Sequence, residues 1–157
     1  MVNKWLLFAL LFTLIVGRIS CESVVKGRVT AYGWCDNDPP YRGDTSSGHQ
    51  ATPGDGTFSN PSTCATDQSR IPAGTKVYIS HVQKYCIVRD ICGACKRDPR
   101  RLVDLWIGPN PMKRENCSFL RYCEERVDNL YVDVYLDAAD GHTVNRNPLF
   151  DGTRCNF

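Results

Sequence analysis

A short hydrophobic segment places an acidic and an aromatic side chain where both can act on one ligand. Residues 102–107 read Leu-Val-Asp-Leu-Trp-Ile, and successive side chains of a β-strand point to opposite faces. Asp104 and Trp106 are therefore expected on one face of the strand, and Val103, Leu105 and Ile107 on the opposite face, which is the expected core face. An indole ring can stack on a sugar, and a carboxylate accepts hydroxyl hydrogen bonds or acts as an acid. The pair suits a carbohydrate site, but the pattern alone favours the other interpretation, a solvent-facing Asp beside a partly packed Trp.

Three other patterns suggest different chemistry. Cys92 and Cys95 have the spacing of a redox CxxC motif, but no βαβ pattern surrounds them, so two structural half-cystines in a loop are the favoured interpretation. Zinc binding would need a second CxxC or paired histidines. The three histidines are scattered, and we expect no metal and no cofactor. The basic run 96–101 is expected to be a solvated loop, with an acidic glycan or protein as its alternative partner.

Asn116 begins an Asn-Cys-Ser sequon for N-glycosylation. The same residue is predicted to cap a helix over 116–126, in which Leu120, Cys123 and Val127 recur at helical spacing. Capping by Asn116, or early oxidation of Cys117, would leave the sequon unused. Glycosylation of Asn116 therefore stays open at this point.

The first twenty residues indicate the compartment. Lys4 precedes an apolar run over 5–16, a length typical of a signal-peptide core and too short to span a bilayer. We predict a signal peptide over 1–21 and a secreted, extracellular domain over 22–157. The chain of 157 residues has 19 Lys and Arg against 17 Asp and Glu, and cleavage removes Lys4 and Arg18. A neutral domain has no general attraction to nucleic acid or membranes; we expect a monomer.

Cysteine content agrees with secretion. The chain has nine cysteines, and cleavage removes Cys21. An even set in a secreted chain predicts four disulfides, whose pairing the sequence leaves open. The predicted half-cystines are Cys35, Cys64, Cys86, Cys92, Cys95, Cys117, Cys123 and Cys155.

The elements that must position these side chains are mostly strands. Residues 34–74 are rich in Gly, Pro, Ser, Thr, Asp and Asn and are predicted to form a long loop region, which inside a domain is usually functional or stapled. No repeat or interdomain linker is present, so we predict one mainly-β domain, a small barrel with one or two short helices. Apolar alternation predicts strands at 25–32, 76–80, 85–89, 102–107 and 130–137.

Four segments in order carry a family resemblance: Thr30-Ala31-Tyr32-Gly33, Ile71-Pro72-Ala73-Gly74-Thr75-Lys76-Val77, Val88-Arg89-Asp90-Ile91-Cys92-Gly93 and Leu102-Val103-Asp104-Leu105. They resemble the double-psi β-barrel proteins, which include expansins, barwin-like proteins, the rare lipoprotein A group and a class of inverting endoglucanases. The resemblance implies a six-stranded double-psi β-barrel, reinforced by disulfides. Within this group the pattern is closest to small secreted proteins typified by a bacterial papain inhibitor.

The resemblance also implies roles for particular residues. Asp104 matches the Asp in the polysaccharide groove of expansins, which is the catalytic acid of the endoglucanases. Asp36 or Asp38 stands near the second endoglucanase carboxylate, and Asp90 resembles a catalytic Asp of the rare lipoprotein A group. Asp104, Asp36 and Asp90 are thus the catalytic candidates if the protein is an enzyme. The lipoprotein group has a Glu after Ser-Gly where this chain has His49. This difference argues against the lytic cleavage of glycan strands that some members of that group perform.

Three functions follow from the residues and the resemblance. The first is a secreted module that binds polysaccharide or cell-wall material without catalysis, through Tyr32, Trp34, Asp104 and Trp106. The second is an inhibitor of an extracellular, papain-like cysteine protease, with residues 22–26 as the segment that would enter the protease. The third is a glycoside-cleaving enzyme of the expansin or endoglucanase type.

Overall fold

A computed structural model describes residues 21–128 and 130–156 of the chain. The predicted signal segment lies outside these residues except for Cys21, which is exposed and has no disulfide partner among them. Within the described ranges, no helix is both long and apolar enough to cross a bilayer.

Six strands close into a barrel in the order β1-β5-β2-β4-β3-β6. The β1–β5 and β2–β4 pairs are parallel and the other pairs are antiparallel. The prediction of a mainly-β, disulfide-reinforced barrel is confirmed, and this mixed pairing fits a double-psi barrel. The elements in chain order are β1 (Ser23–Tyr32), β2 (Ser62–Thr66), β3 (Lys76–Ile79), β4 (Lys84–Ile91), α1 (Gly93–Arg97), β5 (Arg101–Trp106), α2 (Cys117–Val127) and β6 (Leu130–Leu136).

Branched side chains fill the interior of the barrel. Val29, Val77, Val88 and Val134, one each from β1, β3, β4 and β6, are at most 1% exposed. In and just after β5, the predicted core face of Val103, Leu105 and Ile107 is confirmed, since none of the three exceeds 1% exposure. The alternating patterns therefore identify the inward-facing residues of these strands correctly.

Strand β2 lies inside the segment that was predicted as a loop. All five of its residues are buried, although three of them carry a hydroxyl group. The Ser62 hydroxyl donates to the Pro53 carbonyl (2.5 Å) and the Thr66 hydroxyl donates to the Ile71 carbonyl (2.7 Å). Because neighbouring loop backbone satisfies these groups, a polar strand can occupy the interior, and hydrophobic alternation gives no sign of it.

All eight predicted half-cystines form disulfides, which join Cys35 to Cys117, Cys64 to Cys86, Cys92 to Cys95, and Cys123 to Cys155. Two of these bonds hold helix α2. The first joins the start of α2 to the segment that follows β1, and the last joins its middle to the C-terminal segment. Helix α2 is therefore fixed covalently on two sides.

Helix α2 packs against the end of β1 with its predicted apolar face. Leu120, Cys123 and Val127 are at most 1% exposed, and a Cβ atom at Gly33 would lie 2.8 Å from Leu120 Cδ2. A side chain at position 33 would therefore push the helix away. The expected cap is wrong in detail, because Asn116 precedes the helix without making a side-chain capping hydrogen bond.

The CxxC segment is helical rather than a loop. Helix α1 (Gly93–Arg97) follows β4 directly, and the Cys95 backbone N–H lies 3.0 Å from Cys92 Sγ. Both cysteines are buried, at 4% and 1% exposure. Their disulfide closes the first turn of this short helix.

Leu120→Ala should lower the free energy of unfolding by about 2–5 kcal/mol, because it leaves a cavity where α2 meets β1. The neighbouring Phe119 is 52% exposed, so Phe119→Ala should change the free energy by less than about 0.5 kcal/mol. Urea unfolding followed by circular dichroism measures both. Equal losses for the two variants would contradict the packing described for α2.

Candidate functional site

A cleft of about 430 Å³ opens beside the parallel pair β1 and β5. Its walls come from these strands, the loop after β1, the turn into α1, and α2. Six acidic residues and two basic residues are among those that line it: Asp36, Asp38, Asp104, Glu124, Glu125 and Asp128, with Arg101 and Arg121. The cleft therefore gathers carboxyl groups from distant parts of the sequence.

Asp104 lies in this cleft within a closed ring of hydrogen bonds. The β1–β5 register sets Thr30 opposite Asp104, and the Thr30 hydroxyl donates to Asp104 Oδ1 at 2.6 Å. Arg101 Nη2 donates to Asp104 Oδ2 at 3.2 Å, and Arg101 Nε donates to Thr30 Oγ1 at 2.7 Å. Both carboxyl oxygens thus have a donor, and the three side chains fix one another.

Burial and hydrogen bonding act in opposite directions on Asp104. Removal from water raises the pKa of its carboxyl group above the ordinary Asp value, while Arg101 and the Thr30 hydroxyl partly offset this rise. Asp128, at the end of α2, adds a further increase in the pKa. A carboxyl group with a raised pKa keeps its proton to a higher pH than an exposed Asp does.

Tyr32 connects the cleft to Asp90. The Tyr32 hydroxyl donates a hydrogen bond to Asp90 Oδ2 at 3.4 Å. Asp90 Oδ1 accepts hydrogen bonds from the backbone N–H groups of Ser46 and Ile91, both at 2.9 Å. Burial, followed by the charge of Asp90, raises the pKa of Tyr32 well above its usual value. The side chain of Asp90 therefore holds the 44–50 turn and Tyr32, and Tyr32 itself lines the cleft.

Asp36 shares the cleft with another carboxyl group, that of Glu124 on α2, and each acts on the pKa of the other. Asp36 Oδ1 also accepts from the Gly33 backbone N–H at 2.9 Å. Although Asp36 as a whole is exposed, its carboxyl group turns back toward these partners, and the resulting desolvation raises its pKa. The same cause, followed by the charge of Asp36, raises the pKa of Glu124 to about 9. Two of the three predicted catalytic candidates, Asp36 and Asp104, thus line one cleft.

The predicted aromatic platform is wrong for Trp106. Its side chain is 1% exposed, packs edge-on against Tyr32 at 5.2 Å between ring centroids, and donates from Nε1 to the Gly108 carbonyl at 3.0 Å. Ala51 and the Cys92–Cys95 disulfide complete the cluster around it. Ala51, from the segment between β1 and β2, and helix α1 cover the face of β5 that carries Trp106. Trp106 therefore presents no ring face to a ligand.

Trp34 is only partly buried; it packs against the cluster that contains Tyr32 and Trp106 but is not among the residues that line the cleft. Its ring packs edge-on against Tyr41, with centroids 5.6 Å apart, and the Arg114 guanidinium lies 4.3 Å from the Tyr41 ring centre. The structure therefore separates the four predicted glycan-binding residues into two in the cleft, Tyr32 and Asp104, and two outside it.

Comparison with known proteins identifies the family. The DDB_G0273701 N-terminal domain family matches residues 24–156. The chain belongs to this family. It is 32% identical over 155 residues to an uncharacterized Dictyostelium discoideum protein, DDB_G0273701/DDB_G0273221, in an alignment that covers 94% of this chain and 67% of that protein. No solved structure matches.

In this family member, several residues of the cleft were missed from the sequence. Glu124 and Arg121 belong to α2 and Asp128 follows it directly, outside the strands that were predicted to carry the site. One signal was present: Glu124 follows Leu120 by four residues, so it lies on the same helix face as the apolar positions. A carboxylate on a buried face is uncommon and informative.

The described residues offer no obvious metal centre. No group of three or more His, Cys, Asp or Glu within residues 21–128 and 130–156 is arranged to hold a metal ion. The carboxyl groups of the cleft are instead engaged with one another, with Arg101, and with backbone N–H groups. This arrangement can accept hydroxyl hydrogen bonds and can hold or donate protons.

Thr30→Val should destabilise the protein by about 1–3 kcal/mol at pH 7, because it removes partners from two buried polar groups. The loss should shrink on acidification. The Thr30 hydroxyl lowers the pKa of Asp104, so Thr30→Val raises the pKa of Asp104 in the folded protein further above its value in the unfolded chain. A raised pKa of an acid destabilises the folded protein only where the unfolded chain is ionised, so this loss of stability disappears below the unfolded pKa. Urea unfolding at pH 7 and pH 3 measures this. A loss of equal size at both pH values, or an equal loss from Thr75→Val at a partly exposed turn, would contradict the role of the ring.

Proposed function

We propose that the protein is a secreted module that binds a polysaccharide in the cleft. The observation that carries this proposal is the ring of Thr30, Arg101 and Asp104 at the cleft wall. It presents a fixed carboxylate and guanidinium side by side, and sugar hydroxyl groups need both an acceptor and a donor. The resemblance of segment 102–105 to the groove strand of expansins supports the same assignment.

The covalent framework supports the secreted location. The described residues form four disulfides, three of which join positions more than 20 residues apart, and such bonds persist in oxidising compartments outside the cytosol. The apolar segment at 5–16 is consistent with export. A polysaccharide outside the cell is the partner class that fits this location.

Asp104→Asn tests the binding proposal. The variant keeps the size of the side chain and removes its charge, so binding should weaken about 10- to 100-fold, the equivalent of one hydrogen bond to a charged group. Purified protein is mixed with insoluble cellulose, chitin and peptidoglycan, and the bound fraction is measured. Asp137→Asn is the matched control, because Asp137 is exposed and has a positive φ of 50°, a conformation that Asn tolerates.

Two results would overturn the proposal. One is a wild-type protein that binds none of the three polymers. The other is an Asp104→Asn variant that binds as well as Asp137→Asn while its circular dichroism shows a native fold.

Glycoside cleavage is the second candidate, and the raised pKa of Asp104 favours it. A protonated carboxyl group can serve as the acid and an ionised carboxylate as the base for hydrolysis of a glycosidic bond. Asp104 and Asp36, which line the same cleft, are the residues for these two roles. Asp38, the other residue expected near the second endoglucanase carboxylate, lines the same cleft.

If the protein cleaves a glycan, wild-type protein should release reducing ends from one of the three polymers, and Asp104→Asn should release none above the buffer blank. A colorimetric reducing-end assay, run beside the binding measurement, separates cleavage from binding. Binding without release of reducing ends would rule out the second candidate and leave the first intact.

Protease inhibition stays a prediction without a structural argument of its own. The segment expected to enter a protease is part of β1, where Ser23–Val29 pairs with β6. Glu22 is also engaged, because its carboxylate accepts from the Ala139 backbone N–H at 2.8 Å and lies 2.8 Å from His142 Nε2. This segment is therefore not free to extend into another protein.

A further inference from the structure

Glu124 has an unusual place for a carboxyl group. It lies on the buried face of α2 and is 8% exposed. Among the described residues, its Oε1 atom is buried without a hydrogen-bond partner. Burying an ionised carboxylate with an oxygen that receives no hydrogen bond is unfavourable. This placement therefore favours the neutral acid, which can itself donate a hydrogen bond.

The groups around Glu124 make the neutral form more favourable still. Asp36 comes from the loop after β1, Asp104 from β5 and Asp128 from the end of α2, and all three act on Glu124 as negative charges. Arg101 of β5 is engaged by Asp104. Arg121, one turn earlier in α2, acts on Asp36. The charges that face Glu124 from these elements are thus mainly negative.

Asp36 is the natural acceptor for the proton of Glu124. Asp36 and Glu124 line the same cleft, and each acts on the pKa of the other. Two carboxyl groups that interact in this way repel each other when both are ionised, so the pair favours sharing one proton. Asp36 receives a backbone hydrogen bond from Gly33 at 2.9 Å and is stabilised by the charge of Arg121. These contacts favour the negative charge on Asp36 and leave the proton on Glu124.

Building on the proposed function, we propose that Glu124 is a positioning residue: as a neutral acid it donates a hydrogen bond to Asp36 and holds the Asp36 carboxylate in place for the ligand. Loss of this proton would leave two adjacent carboxylates, which would repel each other and displace Asp36. Binding in the cleft should then fall at alkaline pH.

Carboxyl NMR of selectively ¹³C-labelled protein tests the shared proton without any ligand. In the wild-type protein, one Glu carboxyl signal, absent from Glu124→Gln, should titrate near the pKa of about 9. In Asp36→Asn it should titrate at least about one pH unit lower, because a neighbouring charge of like sign is gone. A wild-type protein whose Glu carboxyl groups all titrate at the ordinary value, about 4.3, would overturn the inference.

Binding to cellulose, chitin and peptidoglycan between pH 6 and pH 10 tests the positioning role. Wild-type binding should fall about tenfold as the pH passes 9. Glu124→Ala should bind about tenfold more weakly at every pH, since it removes the donor to Asp36. Glu124→Gln should bind nearly as well as the wild-type protein, because its amide group also donates a hydrogen bond. Its binding should not fall at alkaline pH, because an amide does not titrate.

Glu115→Gln is the matched control, an exposed Glu in the turn before α2, and it should keep the alkaline fall. A Glu124→Gln variant that still loses binding above pH 9, or a folded Glu124→Ala variant that binds like wild type, would overturn the positioning role. If the wild-type protein binds none of cellulose, chitin and peptidoglycan at any pH, the proposed function fails, and the NMR titration alone decides whether Glu124 and Asp36 share a proton.

Discussion

Carboxyl groups that are held away from water determine how the cleft is built. Asp104 can be buried because Thr30 and Arg101 supply donors from the two parallel strands. Glu124 instead shares the cleft with Asp36, which acts on its pKa, and this arrangement requires α2 to stay against the end of β1. The disulfides at Cys117 and Cys123 fix the helix there. The charge pattern of the cleft therefore depends on the covalent attachment of one helix.

The cleft also depends on the parallel pairing of β1 with β5. Thr30 and Asp104 are 74 residues apart in sequence, and the register of this pair brings them to 2.6 Å. A shift of one residue would send Asp104 to the opposite face of the strand. The core contacts of Val103 and Leu105 on that opposite face hold the register. Packing inside the barrel thus sets the geometry of the polar residues outside it.

Sequence patterns predict the parts of this protein that rest on local rules. Alternation identified the core face of β5, and the even set of cysteines identified the four disulfides. The sequence pattern does not predict strand β2, because its hydroxyl groups are satisfied by loop backbone that comes close to the strand only in the folded protein. The prediction that Trp106 is exposed to a ligand is wrong because Ala51 and helix α1, which bury it, come from other parts of the chain. Glu124 reaches the cleft through tertiary packing, which no local pattern reports.

The position of β1 in the barrel has a consequence for how the chain folds. This strand is synthesised first, yet its two neighbours are β5 and β6, the last strands of the barrel. Contacts between residues so distant in sequence require large loops to close before they contribute, which slows folding. Until nearly all of the domain has been made, β1 has no native partner on either edge. During that interval the nascent chain carries an unpaired strand of the kind that associates with other chains.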